Sequence, residues 1–359
     1  MIWRGFAAAI VALALGGIWL RPAPVWQFAL SEGAAVGTGS FFQTVFTYAS
    51  PVGTAHSPAL RVRDDGFDIF WFDGTAESKQ DVRILGTTVS KATADRDIRE
   101  ILTTSRMSSM LSPPQRVLVL GNTISDQASG HIATVVSAGG WAAATLTHVT
   151  DGTARKLNLS PILNRSHLAK SPVIDMQGGM TLIPAYFEMG NGYGVAALVD
   201  ADYRVRAQAA IPTDSAAIQP MIVPTSPQNA VAIFRRFDKT TDRLLASWTD
   251  DGGKSWTRTK ALTLPNPDAP VAAVRLSDGR ILMLYNDAAD RADTLRFAVS
   301  SDGGRTWQPG RRLDGPGKGA LRYPMMMVLG NGRIAATYST GSKSGIVAHE
   351  FSADWAVQP

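Results

Sequence analysis

An all-β fold made of repeated antiparallel sheets is what this sequence predicts, on three observations. The octet SSDGGRTW at Ser300–Trp307 has a near copy, TDDGGKSW, at Thr249–Trp256, and a separation of roughly 50 residues is typical of propeller-type repeats. Each octet is the tail of a larger unit, because PVAAVRLSDGRILMLYN precedes one and IQPMIVPTSPQNAVAIFRR the other, both reading as strand, tight turn, strand. The 33 glycines and 20 prolines are spread along the 359 residues, which suits short strands joined by turns better than long helices.

Taken in order, the chain opens with MIWRGFAAAIVALALGGIWLRPAP, an uncharged run from Gly5 to Leu20 between Arg4 and Arg21. Its length falls between a signal-peptide core and a membrane span of about 20 residues, and no small-x-small cleavage site follows. Residues 1–25 are therefore expected to form an uncleaved anchor helix of a protein facing the periplasm or exterior. Secretion after cleavage and a buried helix of a cytosolic protein are the competing readings. Residues 26–55 are expected to be a lead-in whose strand closes the last sheet.

Residues 56–359 then carry the repeats. The front half of the unit recurs in HSPALRVRDDGFDIFWF, HIATVVSAGGWAAATLTH, SPVIDMQGGMTLIPAYFE and RYPMMMVLGNGRIAATYS. With the two octet-bearing copies this makes about six modules. A four-stranded unit of that size cannot bury both faces alone, so a six-bladed β-propeller is the expected architecture. In the longer first interval, Ile98, Ile101 and Leu102 recur at helical spacing and predict a short surface helix between blades 1 and 2.

Composition narrows the function classes. There is no cysteine, so disulfides and thiolate chemistry are excluded, and the five histidines show no metal-ligand spacing, so no metal or cofactor is expected. The net charge of +5 comes without a Lys/Arg block, which argues against nucleic acid and for an anionic ligand such as an acidic glycan, with the membrane reached through the N-terminal helix. The octet itself reads as a turn, with glycines supplying positive φ, an Asp accepting backbone N–H groups and a Trp packing between sheets.

Strand parity puts the octet turns on one face of the ring, so candidate site residues lie on the other, just before first strands and just after second ones. Blade 1 offers His56, Ser57, Asp73, Glu77 and Asp81; blade 3, Lys170, Tyr186 and Glu188; blade 4, Gln219, Arg235 and Arg236. Blade 5 offers Asp268, Tyr285, Asn286 and Asp287, and blade 6 Arg322, Tyr323 and Tyr338. An acid, a base and cations around a concave mouth fit chemistry on an acidic glycan. Each also has a plainer reading: Glu77 and Asp81 as solvated loop carboxylates, His56 as a strand cap, Arg235 as an ion-paired structural arginine, Tyr338 as packing.

Both octets resemble the Asp-box of sialidase-like, or BNR-repeat, proteins. The segments AHSPALRV, WFDGTAESKQDVRI, LPNPDAPVAAVRLSDGRILMLYN and RYPMMMVLGNGRIAATYS are similar to the predicted-neuraminidase branch of that group. The resemblance implies a six-bladed propeller and an exo-acting glycosidase. It implies anion binding by Arg235 and Arg322, and a tyrosine nucleophile, Tyr338 or Tyr323, with Glu188. The sequence has His56 and Ser57 where that family carries its first arginine, which points to an acidic or deoxy sugar other than sialic acid itself. On this reading His56, Glu77, Asp81 and Tyr338 are the catalytic candidates, and Arg235, Arg322, Tyr323, Gln219, Glu188 and Asn286 the substrate-binding ones. A uronate-specific polysaccharide lyase and a non-catalytic glycan-binding propeller of an envelope or exopolysaccharide assembly are the alternatives.

Overall fold

The computed structural model describes residues 23–90, 97–126, 128–160, 164–238 and 242–358. The N-terminal anchor expected over 1–25 lies almost wholly outside these residues, and among the described residues no helix is long and apolar enough to cross a membrane.

Six antiparallel sheets form a closed ring. The innermost strands are Thr54–Arg63, Val119–Ser125, the interrupted pair His167–Ala169 and Ile174–Met176, Ala217–Pro224, Ala272–Arg275 and Arg322–Val328, for blades 1 to 6. The outermost strand of blade 6 is Phe42–Ala49, paired antiparallel with Gly345–Phe351, so the start of the chain completes the last sheet.

Second strands are apolar on both faces because each sheet is sandwiched between two others. In blade 5, Ile281–Tyr285 (ILMLY) is wholly buried. Its Leu282 and Leu284 join Ile334 and Phe351 of blade 6, while Ile281, Met283 and Tyr285 join Met221, Val231 and Ile233 of blade 4. The period of two thus serves two interfaces at once.

The octets are turn devices. Asp302 accepts the N–H groups of Arg305 and Thr306 (3.0 and 2.9 Å) and the Thr306 hydroxyl (2.6 Å), and Trp307 Nε1 donates to the Gly304 carbonyl (3.1 Å). Asp251 and Trp256 repeat the pattern with Ser255 and Gly253. The turn donors hold the Asp302 carboxyl down to about 2 against the opposing effect of burial.

The lead-in crosses the octet face. Phe28 N–H bonds the Pro227 carbonyl of blade 4, Ala29 N–H that of Asp175 in blade 3, Ala34 N–H that of Arg275 in blade 5 and Ala35 N–H that of Gly332 in blade 6. Residues Ala29–Gly33 thereby close one end of the central channel, leaving an apolar cavity of about 300 Å³ lined by Val173, Val223, Val274 and Met327.

The expected helix is displaced. Ile101 and Leu102 belong to the outer strand Arg99–Leu102, and the helix runs over Thr104–Met110, capped by the Thr103 side chain accepting from Arg106 N–H. Apolar residues three and four apart coincide with a strand here because Leu85 and Gly86 of the preceding strand pair with Glu100 and Arg99 and take that segment into the sheet.

Candidate functional site

At the mouth opposite the octets, the innermost strands carry a recurrent kink. Register slips between His56 and Ala59, Ile218 and Met221, and Arg322 and Met325, in each case at a residue followed by proline. Ser57, Gln219, Asp268 and Tyr323 all sit at φ near +55°, with values of 53, 56, 57 and 56°. A left-handed non-glycine residue costs on the order of 1–3 kcal/mol, and such residues concentrate at functional sites. Here four blades each turn one toward the same mouth.

Their side chains interlock. Gln219 Nε2 donates to the Tyr323 hydroxyl (3.0 Å) and to that of Tyr186 (3.3 Å), while Gln219 Oε1 accepts from Arg235 Nη1 (3.0 Å). Arg235 Nη1 also reaches the Tyr323 hydroxyl (3.4 Å), and its Nε donates to Asp268 (2.6 Å). Arg322 donates to the Asp268 main-chain carbonyl (2.9 Å), and among the described residues no carboxylate lies within ion-pair distance of it. Arg235 is held by an acid; Arg322 keeps its charge for the mouth.

His56 completes the floor. It is 1% exposed, its Nδ1 bonds Ser339 Oγ (2.7 Å), and its ring meets that of Tyr323 edge-on at 4.3 Å. Its Nε2 is buried without a hydrogen-bond partner among the described residues. Burial first, then the charges of Lys343, Arg322, Arg235 and Lys170, hold its imidazole well below the ordinary range, so it is neutral at pH 7. Glu188 is pushed the other way, upward, by burial and by Glu77, against the pull of Arg235. Glu77 is ion-paired with Lys343 on the rim. The arrangement can hold an anion at guanidinium groups over a neutral imidazole, with a carboxyl of raised pKa in electrostatic reach of Arg235.

Of the residues singled out in the sequence, His56, Gln219, Arg235, Arg322 and Tyr323 come together here, with Glu188 and Glu77 felt electrostatically from blades 3 and 1. Three of the ten catalytic and substrate-binding candidates do not join them. Tyr338 points into the interface of blades 5 and 6, its hydroxyl on Asp314 (2.8 Å) and His349 (3.0 Å). Arg322 pairs with Ser339, so it is Ser339, one residue on, that shares the mouth side with Arg322. Asp81 is exposed and caps its own loop through Thr75 N–H (2.8 Å), which lowers its pKa. Asn286 is buried as a staple, donating to the carbonyls of Thr294 (2.6 Å) and Leu321 (3.0 Å) and so holding the strand that carries Arg322. Ser339 and Lys343 were missed; a count from the kinked partner strand would have found Ser339, whereas nothing in the loop around Lys343 marks it.

A groove of about 510 Å³ between the octet turns of blades 4 and 5, lined by Trp248, Asp250, Asp302 and Arg305, lies on the other face. The Asp302 carboxylate there is already engaged by its own turn, and Arg305 lies over the Trp248 ring.

The family model for the BNR repeat-like domain matches residues 66–336. Among solved structures, the NanB sialidase from Streptococcus pneumoniae superposes with a TM-score of 0.61 at 11% identity, over 88% of this chain and 71% of that one. Trypanosoma rangeli sialidase, solved with sialic acid, gives 0.59 at 13% identity, over 89% and 60%. A protein of unknown function from Dyadobacter fermentans gives 0.62 at 13% identity, over 86% and 98%. These likenesses concern the fold. A search of curated protein sequences returned no match.

Proposed function

Because the chain belongs to the BNR repeat-like domain family, we propose that it is an exported glycan-processing enzyme, an exo-acting glycosidase for an acidic or deoxy sugar. The observation that carries this reading is Arg322, a half-buried guanidinium with no carboxylate partner among the described residues, beside Arg235 and above a neutral His56. Arg322 binds the anionic group and Arg235 orients it through the Asp268 and Gln219 framework. Tyr323, with two N–H donors on its oxygen, is the tyrosine we assign to attack or stabilise the anomeric centre, a role Tyr338 cannot fill from the blade interface. Glu188, held protonated toward higher pH, is the candidate acid, and His56 the base.

Hydrolysis of fluorogenic sialosides and uronosides by the purified chain tests this; a folded protein that releases fluorophore from none of them sinks it. A second reading, elimination on a uronate, is favoured by the unpartnered, neutral His56 Nε2, which suits proton abstraction α to a carboxylate. Its unsaturated product absorbs in the ultraviolet at roughly 235 nm, where the hydrolysis product does not, and separates the two. Under either reading Arg322→Met should weaken binding of the anionic sugar by about 10- to 100-fold, the worth of a charge-assisted hydrogen-bond pair, with melting temperature unchanged. Affinity measured by calorimetry on a neutral and an acidic version of one glycan checks it: equal losses on both would remove Arg322 from anion recognition.

A further inference from the structure

Blades 3 and 6 stand on opposite sides of a six-membered ring, and one side chain joins them. Lys170 follows the inner strand His167–Ala169 of blade 3, is 2% exposed, and its ammonium donates to the main-chain carbonyl of Pro324 in blade 6. Burying an ammonium costs several kcal/mol on the order-of-magnitude scale for partly compensated charges, a cost that a methionine filling the same channel would not carry. Pro324 immediately follows Tyr323, whose φ of 56° persists only if its surroundings hold it. That same tyrosine touches His56 with its ring and receives Gln219 and Arg235 on its hydroxyl. The cross-channel bond therefore ends on the residue around which the mouth is organised. The repeat makes the position legible: KSP at Lys170–Pro172 occupies in blade 3 the place of HSP at His56–Pro58 in blade 1 and RYP at Arg322–Pro324 in blade 6.

We propose that Lys170 is a positioning residue for the mouth: by bonding the Pro324 carbonyl across the channel it fixes the left-handed Tyr323, and through it the placement of His56, Gln219 and Arg235. The proposal rests on reading the mouth as the functional site. Burial pulls the Lys170 pKa to about 7, so the strut works with its ammonium charged and loosens in alkaline solution.

The test is proton–carbon NMR of the histidine rings in the folded chain, with His56 assigned through His56→Gln. The Tyr323 ring, at 4.3 Å, imposes a ring-current shift on His56, so that resonance reports where Tyr323 sits. In Lys170→Met the His56 resonance should move, and its titration midpoint should rise as a like charge leaves. Lys170→Arg, which keeps donor and charge, should return both toward the starting values. His131, His148 and His349, packed elsewhere, should keep theirs. A His56 resonance and midpoint unchanged in a folded Lys170→Met would overturn the proposal. Should that variant not fold, Lys170→Gln takes its place, with a moved resonance supporting and an unmoved one overturning. No glycan enters the experiment, so a mouth that turns over no sugar leaves it standing.

Discussion

Gly252→Ala should lower stability by about 3–5 kcal/mol, far more than an exposed turn substitution usually does. Two costs combine. Gly252 has φ of +78°, where a side chain costs about 1–2 kcal/mol, and a Cβ there would lie 1.7 Å from the Trp26 carbonyl oxygen, a backbone atom that cannot turn aside. The lead-in would have to lift off the octet turn of blade 4. Lifting it draws out Phe28, fully buried among Met176, Leu182 and Trp256, whose exposure costs roughly 2–3 kcal/mol. Gly279→Ala separates the two costs, because its φ is +86° and nothing lies within 4 Å of the added carbon. It should lose only about 1–2 kcal/mol, the conformational part. Urea midpoints of both variants, with proteolysis of residues 23–41 as a second readout, decide the matter. Equal losses would mean that the lead-in does not brace this turn.

The same turn shows why so much of the fold could be read from residues alone. An octet that needs two glycines in the left-handed region, a carboxylate over exposed N–H groups and a tryptophan between sheets admits few substitutes, so its chemistry is written out each time it is used. The strand–turn–strand units are legible for a related reason: a second strand buried on both faces must be apolar throughout, and ILMLY is. The mouth was legible where a kink is marked by proline, as in HSP, IQP and RYP, because those residues are the ones turned toward the channel. It was not legible where parity alone decides. Tyr338 and Ser339 end the same strand, and only the slip between Arg322 and Met325 fixes which of them faces the mouth. Asn286, likewise, is polar and near the mouth in sequence, yet it is buried and its amide N–H groups are spent on two carbonyls. Polarity at a strand end announces a hydrogen bond, and the partner can as well be backbone as ligand.

Acid should destabilise the protein well above the pH at which carboxylates titrate, and the histidines are the reason. His349 and His131 are each pulled from the ordinary 6.5 to about 4, chiefly by burial. Lys318 adds to the effect at His349 against Asp314, and Arg61 adds to it at His131 against Asp126 and Asp68. Above pH 6.5 both are neutral whether folded or unfolded and contribute no slope. Below it the unfolded chain takes up protons that the folded one refuses, so stability is lost as pH falls toward 4, by about 3 kcal/mol for each histidine. The carboxyls of half-buried Glu188 and of Asp175, both raised by partial desolvation, act in the opposite sense.

The geometry around His349 says what fails. The Tyr338 hydroxyl donates to Asp314 (2.8 Å), so it accepts from His349 Nε2 (3.0 Å), and Nδ1 is left to accept from the Thr44 hydroxyl (3.1 Å). That neutral tautomer is satisfied on both nitrogens. A second ring proton would force the Thr44 hydroxyl to turn from donor to acceptor, and Thr44 belongs to Phe42–Ala49, the strand that closes the ring. Protonation therefore acts at the closing strand, where Phe42 also packs against the same imidazole at 5.0 Å. His349→Gln keeps one donor and one acceptor without a titrating ring, and should flatten the fall in urea stability between pH 6.5 and 4 in part only, because His131 and the buried His56 are lowered as well and keep their share. A slope identical to the parent's would place the acid sensitivity elsewhere, with His131 and its Arg61 and Asp126 neighbours the next to be substituted.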